Sequence, residues 1–311
     1  TYESYPIVNP SAGWTKLTDP SPFITANILF ALMEPDDDRL NDVIAKGAKS
    51  LIAAKEGKGF WRFWPVKSKQ HPVPLDMDDT CIGLAVLARC GYNFDVKDIL
   101  LNNKNAEGYF ETWLRPRLST FFISQVVFYN LLQDYRVAAP TQKLEHFAYT
   151  DFEPAVAANV LLYLGENHQT KACIDLIVNE IKSGSPSKKF YDDDIVVYYH
   201  LSRAYVNGVH SFKQLGPIIA ERICSRFGSD TDNENGFLRA MAANVLLDYG
   251  VETAFAGKLI DSIAQGELYP DKWLSYPYFC SRDRNFLAGS PALTSAVFIE
   301  ACATLNRNKL I

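Results

Sequence analysis

From His71 to Thr80 the chain reads His-Pro-Val-Pro-Leu-Asp-Met-Asp-Asp-Thr, which sets three carboxylates, Asp76, Asp78 and Asp79, within four positions. Acids this close cannot all ionise cheaply, so at least one keeps its proton near neutral pH while its neighbours hold it in place. In a dry, apolar setting such a carboxylic acid is a Brønsted acid able to protonate a weak base. Capping a helix and complementing its dipole accounts for one acidic side chain, not three. At average residue usage a match to Asp-x-Asp-Asp-Thr arises by chance in roughly one chain of this length in several hundred.

Other groups could serve that acid. Gly57-Lys-Gly-Phe-Trp-Arg-Phe-Trp64 lies just upstream, with Trp61 and Trp64 as candidate cavity faces and Lys58 and Arg62 as candidate contacts for phosphate oxygens. The competing reading is a structural brace built on the same aromatics. Trp113 and Tyr198 are further candidates for the wall of a binding site; Tyr198 and Tyr205 are seven residues apart and share a helix face. Tyr191-Asp-Asp-Asp194 and Asp230-Thr-Asp-Asn-Glu234 repeat the pattern of acids at a helix start. Asp192 and Asp193 are thus candidate ligands for a Mg²⁺ ion shared with a diphosphate, with capping as the alternative. Glu34-Pro-Asp-Asp-Asp38 reads as a turn plus N-cap, and Trp113-Leu-Arg-Pro-Arg117 and Ser281-Arg-Asp-Arg284 as basic loops. None of the five His falls in a Ser-His-Asp or Cys-His arrangement, so nucleophilic catalysis has no support.

The elements that must position these groups are helices. Apolar residues recur at spacings of three and four over long windows, and strand-like alternation is scarce. Strongly apolar helices are predicted over 22–33, 78–90, 120–135, 152–164, 192–206, 235–249 and 291–305, and more amphipathic ones over 39–54, 171–182, 212–226 and 253–265. Buried helices alternating with amphipathic ones, without a tight consensus repeat, predict an all-α fold: a single α/α toroid of about six helical hairpins spanning 1–311. The stretches 103–119 and 268–290 are long, irregular and aromatic, which marks them as functional loops.

Composition narrows the function. Lys and Arg total 31 against 36 Asp and Glu, a net charge of −5, so no field attracts a polyanion and nucleic acid is a poor partner. The six cysteines lack zinc-site spacing and fit a reduced cytoplasm. The opening residues lack the basic and apolar regions of a secretory leader. The longest apolar stretch, 155–164, is about half the ~20 residues a spanning helix needs, so no integral membrane segment is expected. Aromatic residues reach 13%, enough to line a cavity as well as fill a core.

The acidic stretch resembles the Asp-x-Asp-Asp motif of class II terpene cyclases, the family that includes squalene-hopene cyclases and copalyl-diphosphate-type synthases. The similarity runs on through Thr80, the apolar run 82–87, Arg89, Gly91-Tyr92 and Gly108-Tyr-Phe-Glu-Thr-Trp113. That family folds as an α/α toroid. The resemblance implies that Asp78 is the general acid protonating a terminal alkene or epoxide, and that Asp76 and Asp79 orient it and tune its acidity. It implies an isoprenoid substrate, foremost a prenyl diphosphate with Mg²⁺ at its head group, and no redox cofactor. Aromatic faces suit such chemistry, each attracting a cation by about 0.5–2 kcal/mol. Most class II cyclases place the site between two helical domains; one toroid implies closure by its own loops, by a second copy in a homodimer, or by a partner domain.

Two other classes remain open. A carbohydrate-active α/α barrel would set Asp78 and Asp193 or Asp232 about a sugar. A non-catalytic scaffold would show a cavity plugged by side chains, or acids neutralised by Arg.

Overall fold

The structure, a computed structural model, describes residues 21–64, 73–141, 152–184, 186–228, 236–267, 278–280 and 287–309. Among them are thirteen α-helices: α1 (Pro22–Leu32), α2 (Asn41–Ala54), α3 (Met77–Arg89), α4 (Lys97–Leu101), α5 (Leu118–Ile123), α6 (Gln125–Thr141), α7 (Pro154–Leu164), α8 (Lys171–Ser183), α9 (Asp194–Val206), α10 (Gly216–Phe227), α11 (Gly236–Tyr249), α12 (Thr253–Glu267) and α13 (Pro291–Lys309). A two-residue antiparallel pair, β1 (Phe279–Cys280) with β2 (Leu287–Ala288), is the one sheet among the described residues. No helix there is long and apolar enough to cross a membrane.

Local chemistry starts and stops these helices. Ser21 caps α1 by accepting from the Ile24 amide, with Pro22 in the first turn, and Pro154 opens α7 in the same way. Gly165 ends α7 at φ +73°, a conformation that costs a side chain dearly.

Helices α1, α3, α7, α9, α11 and α13 each pack on the next, and α13 returns to α1, so their contacts close a cycle. Five of these, α1, α3, α7, α9 and α11, are buried on nearly every side, while α13 leaves Ile299 and 306–308 exposed; α7 buries nine residues from Pro154 to Leu164. Outside them, α8 buries only the stripe Cys173, Ile174, Ile177, Val178 and Ile181, at the three-and-four spacing of an amphipathic helix. Helix α2 lies against α1 and α3, and α12 against α11 and α13.

The expected apolar helix over 120–135 is not a member of the cycle. Its chain breaks at Ser124, whose backbone is extended, giving α5 and α6. Val127 and Leu131 face inward, while Leu118, Phe122, Val126 and Tyr129 are exposed. Apolar residues sit on both sides of this stretch, so periodicity could not tell which side is covered.

Polar side chains fill the centre of the cycle. Arg203 of α9 donates to Glu300 of α13 at 3.2 Å and to Asn27 of α1 at 3.1 Å, while the Tyr199 hydroxyl donates to Glu300. All four residues are buried. Burial already pushes the Glu300 carboxyl up despite Arg203. Replacing Arg203 by Met leaves that acid with the Tyr199 hydroxyl but no cation, and a urea melt is expected to show a loss of about 3–5 kcal/mol near neutral pH. The deficit should shrink as pH falls, because Glu300 then takes up a proton; a pH-independent deficit would assign the loss to packing alone.

Candidate active site

The acidic stretch lies where three segments meet. Asp76 pairs with Trp113 in an isolated bridge, the Met77 amide donates to Thr112 O at 2.8 Å, and the Leu114 amide donates to Leu75 O at 2.9 Å. Thr80 accepts from the Trp61 amide at 3.1 Å, tying the 56–62 hairpin to the first turn of α3.

Each acid has a distinct setting. Asp76 caps α3 by accepting from the Asp79 amide at 2.7 Å, and burial raises its carboxyl to about 6. Asp79 is pushed well above the carboxylate range by burial and by Asp76, and its Oδ2 has no partner among the described residues. Asp78 accepts from Asn159 Nδ2 at 2.6 Å on Oδ1 and from the Tyr191 hydroxyl on Oδ2. Burial, then the charge of Asp76, raises Asp78 to about 7, and the two donors only partly offset the rise.

All three acids line an apolar hollow of about 40 Å³ with Phe23, Phe63, Trp64, Trp113, Phe190 and Phe279. Phe279 stacks on Phe63 with centroids 4.8 Å apart, and Trp113 meets Phe190 edge-on at 5.7 Å. Glu153, the residue before α7, accepts from the Phe190 amide at 2.8 Å and the Tyr191 amide at 3.1 Å, so it holds both the ring and the phenol in place. Burial raises Glu153 to about 8.

Of the residues singled out in the sequence, Asp76, Asp78, Asp79, Trp64 and Trp113 come together at this hollow. The others do not. Trp61 is fully buried, its indole N–H donating to Leu51 O at 2.9 Å, and is a brace rather than a wall. Arg62 is buried among Glu56, Asp134 at 2.9 Å and Val73 O at 2.7 Å, so its donors are not free for phosphate. Lys58 is exposed beside a separate groove of about 450 Å³ between the hairpin and α6. Tyr198 accepts from Arg222 at 3.0 Å, away from the acids.

The proposed Mg²⁺ ligands do not fit. Asp193 caps α9 and is held by Arg226 through both oxygens, at 2.7 and 2.9 Å; Asp194 pairs with Lys188 at 2.8 Å. Asp192 is exposed, and no three metal-ligating side chains converge among the described residues. The Arg226 pair also removes Asp193 as the partner acid of a sugar-cleaving site. His71, Asp230, Asp232 and Glu234, and the arginines of Ser281–Arg284, lie outside the described residues. Arg115 and Arg117 both pair with buried Glu111.

Sequence reading missed Asn159, Tyr191 as a donor, and the Phe walls. A signal for Asn159 existed: it is the lone amide side chain in Pro154-Ala-Val-Ala-Ala-Asn-Val-Leu-Leu-Tyr-Leu164, and a buried amide demands a partner.

Asp78 binds its proton more tightly folded, at about 7, than at its ordinary 3.8. Its ionisation therefore removes stability as pH rises through that window. Asp78→Asn is expected to raise the melting temperature more at about pH 8 than at about pH 5; an equal change at both would mean that Asp78 does not titrate in the fold. Trp61→Ala should cost about 3–5 kcal/mol in a denaturant melt, as loss of a buried brace does.

No family model matches the sequence, and no curated protein does. Solved structures do match in fold. A crystal structure of a protein from Actinoplanes superposes with a TM-score of 0.68 at 16% identity, covering 98% of this chain and 93% of that one. The ent-copalyl diphosphate synthase from Streptomyces platensis superposes with a TM-score of 0.64 at 15% identity, covering 92% of this chain and 50% of that one. The chain thus spans half the length of that synthase, and what it shares with it is a mostly helical fold.

Proposed function

We propose that this chain is a class II terpene cyclase domain, a single α/α toroid that protonates the terminal alkene of a linear isoprenoid, foremost a prenyl diphosphate, with Asp78 as the acid. The observation that carries the reading is a buried carboxyl raised to about 7 that faces a hollow walled by six aromatic side chains. The closed cycle of six helices and the fold-level likeness to an ent-copalyl diphosphate synthase support it.

In the proposed step the Asp78 O–H bond breaks and its proton adds to the alkene carbon, whose π pair forms the new C–H bond. The neighbouring carbon is left cationic, and the next alkene attacks it to close a ring. Ring faces attract that cation, each by about 0.5–2 kcal/mol. Asn159 and Tyr191 bear the charge left on the Asp78 carboxylate. A base removes the final proton, and the diphosphate at the far end of the chain is untouched. No step passes through Mg²⁺.

The hollow sets a limit on this proposal. Ligand sites run to roughly 300–1,000 Å³, against about 40 Å³ here. The isoprenoid beyond its reacting end therefore needs a further surface, from the chain's own long loops, a second copy or a partner domain.

Incubation with C10, C15 and C20 prenyl diphosphates and with squalene is expected to yield a cyclic product from at least one. Asp78→Asn should abolish it while leaving the circular dichroism spectrum unchanged. Because the acid acts protonated, turnover should fall as pH rises through about 7. Turnover retained in Asp78→Asn removes the assignment.

A further inference from the structure

Behind Asp78 a line of hydrogen bonds crosses the centre of the helix cycle. Asn159 Nδ2 donates to Asp78 Oδ1 at 2.6 Å, and Asn159 Oδ1 lies 3.0 Å from His200 Nδ1. His200 Nε2 is 2.8 Å from the Tyr278 hydroxyl, which is also 3.1 Å from Asn27 Oδ1. Asn159, His200 and Asn27 are wholly buried and Tyr278 nearly so, so each polar atom depends on the next for its partner.

Counting hydrogens decides the direction of the line. A carbonyl oxygen has none, so with Asn159 donating to Asp78 the proton between Asn159 and His200 must sit on His200 Nδ1. Burial, and then Arg203, push His200 well below its usual range, so the ring is neutral and Nε2 is bare. The rings of Tyr191, Tyr199 and Tyr278 pack about the imidazole. Tyr278 has one hydrogen and two acceptors within reach. Asn27 Oδ1 already receives Arg203 NH1 at 3.1 Å, whereas His200 Nε2 has no other donor among the described residues. The hydrogen is thus drawn from Asn27 Oδ1, at 3.1 Å, to His200 Nε2, the nearer acceptor at 2.8 Å.

We propose that Tyr278 and His200 are positioning residues for Asp78. Tyr278 holds His200 as its Nδ1–H tautomer, and His200 holds the Asn159 amide with its N–H turned to Asp78 Oδ1. The transferable proton of Asp78 then resides on Oδ2, the oxygen beside Tyr191. Were the tautomer reversed, Asn159 would present its carbonyl oxygen to Asp78 and repel the carboxylate that proton transfer leaves behind. The catalytic consequence rests on the proposed function; the tautomer does not.

The test has two arms on the intact chain. In the first, ¹⁵N-histidine labelling of the wild type is expected to show a neutral His200 protonated on Nδ1 from about pH 5 to about pH 9. A ring protonated on Nε2, or one that titrates in that range, overturns the proposal, and this arm needs no substrate. In the second, Tyr278→Phe removes the hydroxyl. Its His200 signals should move away from a pure Nδ1–H tautomer, and cyclisation kcat should fall about three- to tenfold with KM unchanged, as expected for one lost hydrogen bond. Unchanged His200 signals in that variant overturn the proposal. A wild type that cyclises nothing, yet shows the Nδ1–H tautomer and its loss in Tyr278→Phe, sinks the proposed function and leaves the positioning role standing.

Discussion

A carboxylate taken out of water into an apolar interior costs several kcal/mol, and three of them here lie within one helical turn. The site answers that cost unevenly. Asp76 is compensated by backbone at the head of α3, and burial together with Asp76 pushes Asp79 well above the carboxylate range. Asp78 receives only neutral donors, an amide and a phenol. An arginine touching it would have fixed it as an anion. Arg62 is instead bound by Glu56 and Asp134 and acts at a distance, on Asp76 and Asp79. The acid left closest to giving up a proton near neutrality is the middle one.

The same constraint shapes the helices behind it. A cycle of apolar helices still has a centre, and here Asn27, Asn159, His200, Arg203 and Glu300 fill it. Buried polar groups are tolerated only as a connected set, because each unsatisfied member costs about 1–3 kcal/mol. Connection then carries a consequence: the orientation of one amide next to Asp78 is tied to a hydroxyl on the far side of an imidazole. Rigidity of the fold and geometry of the acid become one problem.

What was legible in the sequence follows from what is local. Three acids within four positions before an apolar run can be read directly, and so can the helices, because periods of three and four survive in one dimension. Trp64 and Trp113 were legible as aromatics near the motif. The failures share a cause: identity does not say which way a side chain turns. Trp61 and Trp64 lie three residues apart, yet one braces Leu51 and the other walls the hollow. Arg62 and Asp193 look like free charges until Glu56, Asp134 and Arg226, distant or not in sequence, occupy them. The stretch 120–135 is apolar enough for an inner helix, and only tertiary packing shows that half of it faces outward. Asn159 was readable as an anomaly, but its partners come from α3 and α9.

The hollow divides into a floor and walls of different construction. Its acids stand on the first turn of α3, pinned by backbone bonds to the 112–114 segment and braced by Thr80. Trp64, Val73, Phe190 and Phe279, by contrast, lie on segments between helices or on a two-residue strand. A space of about 40 Å³ admits about one water molecule. Such a space takes in no ligand of ordinary size. Enlarging it from the floor would break the cap of α3 and the bonds that set the acids. Enlarging it from the walls costs ring contacts worth about 0.5–1.5 kcal/mol each and, at Phe190, its backbone bonds to Glu153 and Cys280. The wall side is therefore where the hollow can widen without undoing the bonds that set Asp78.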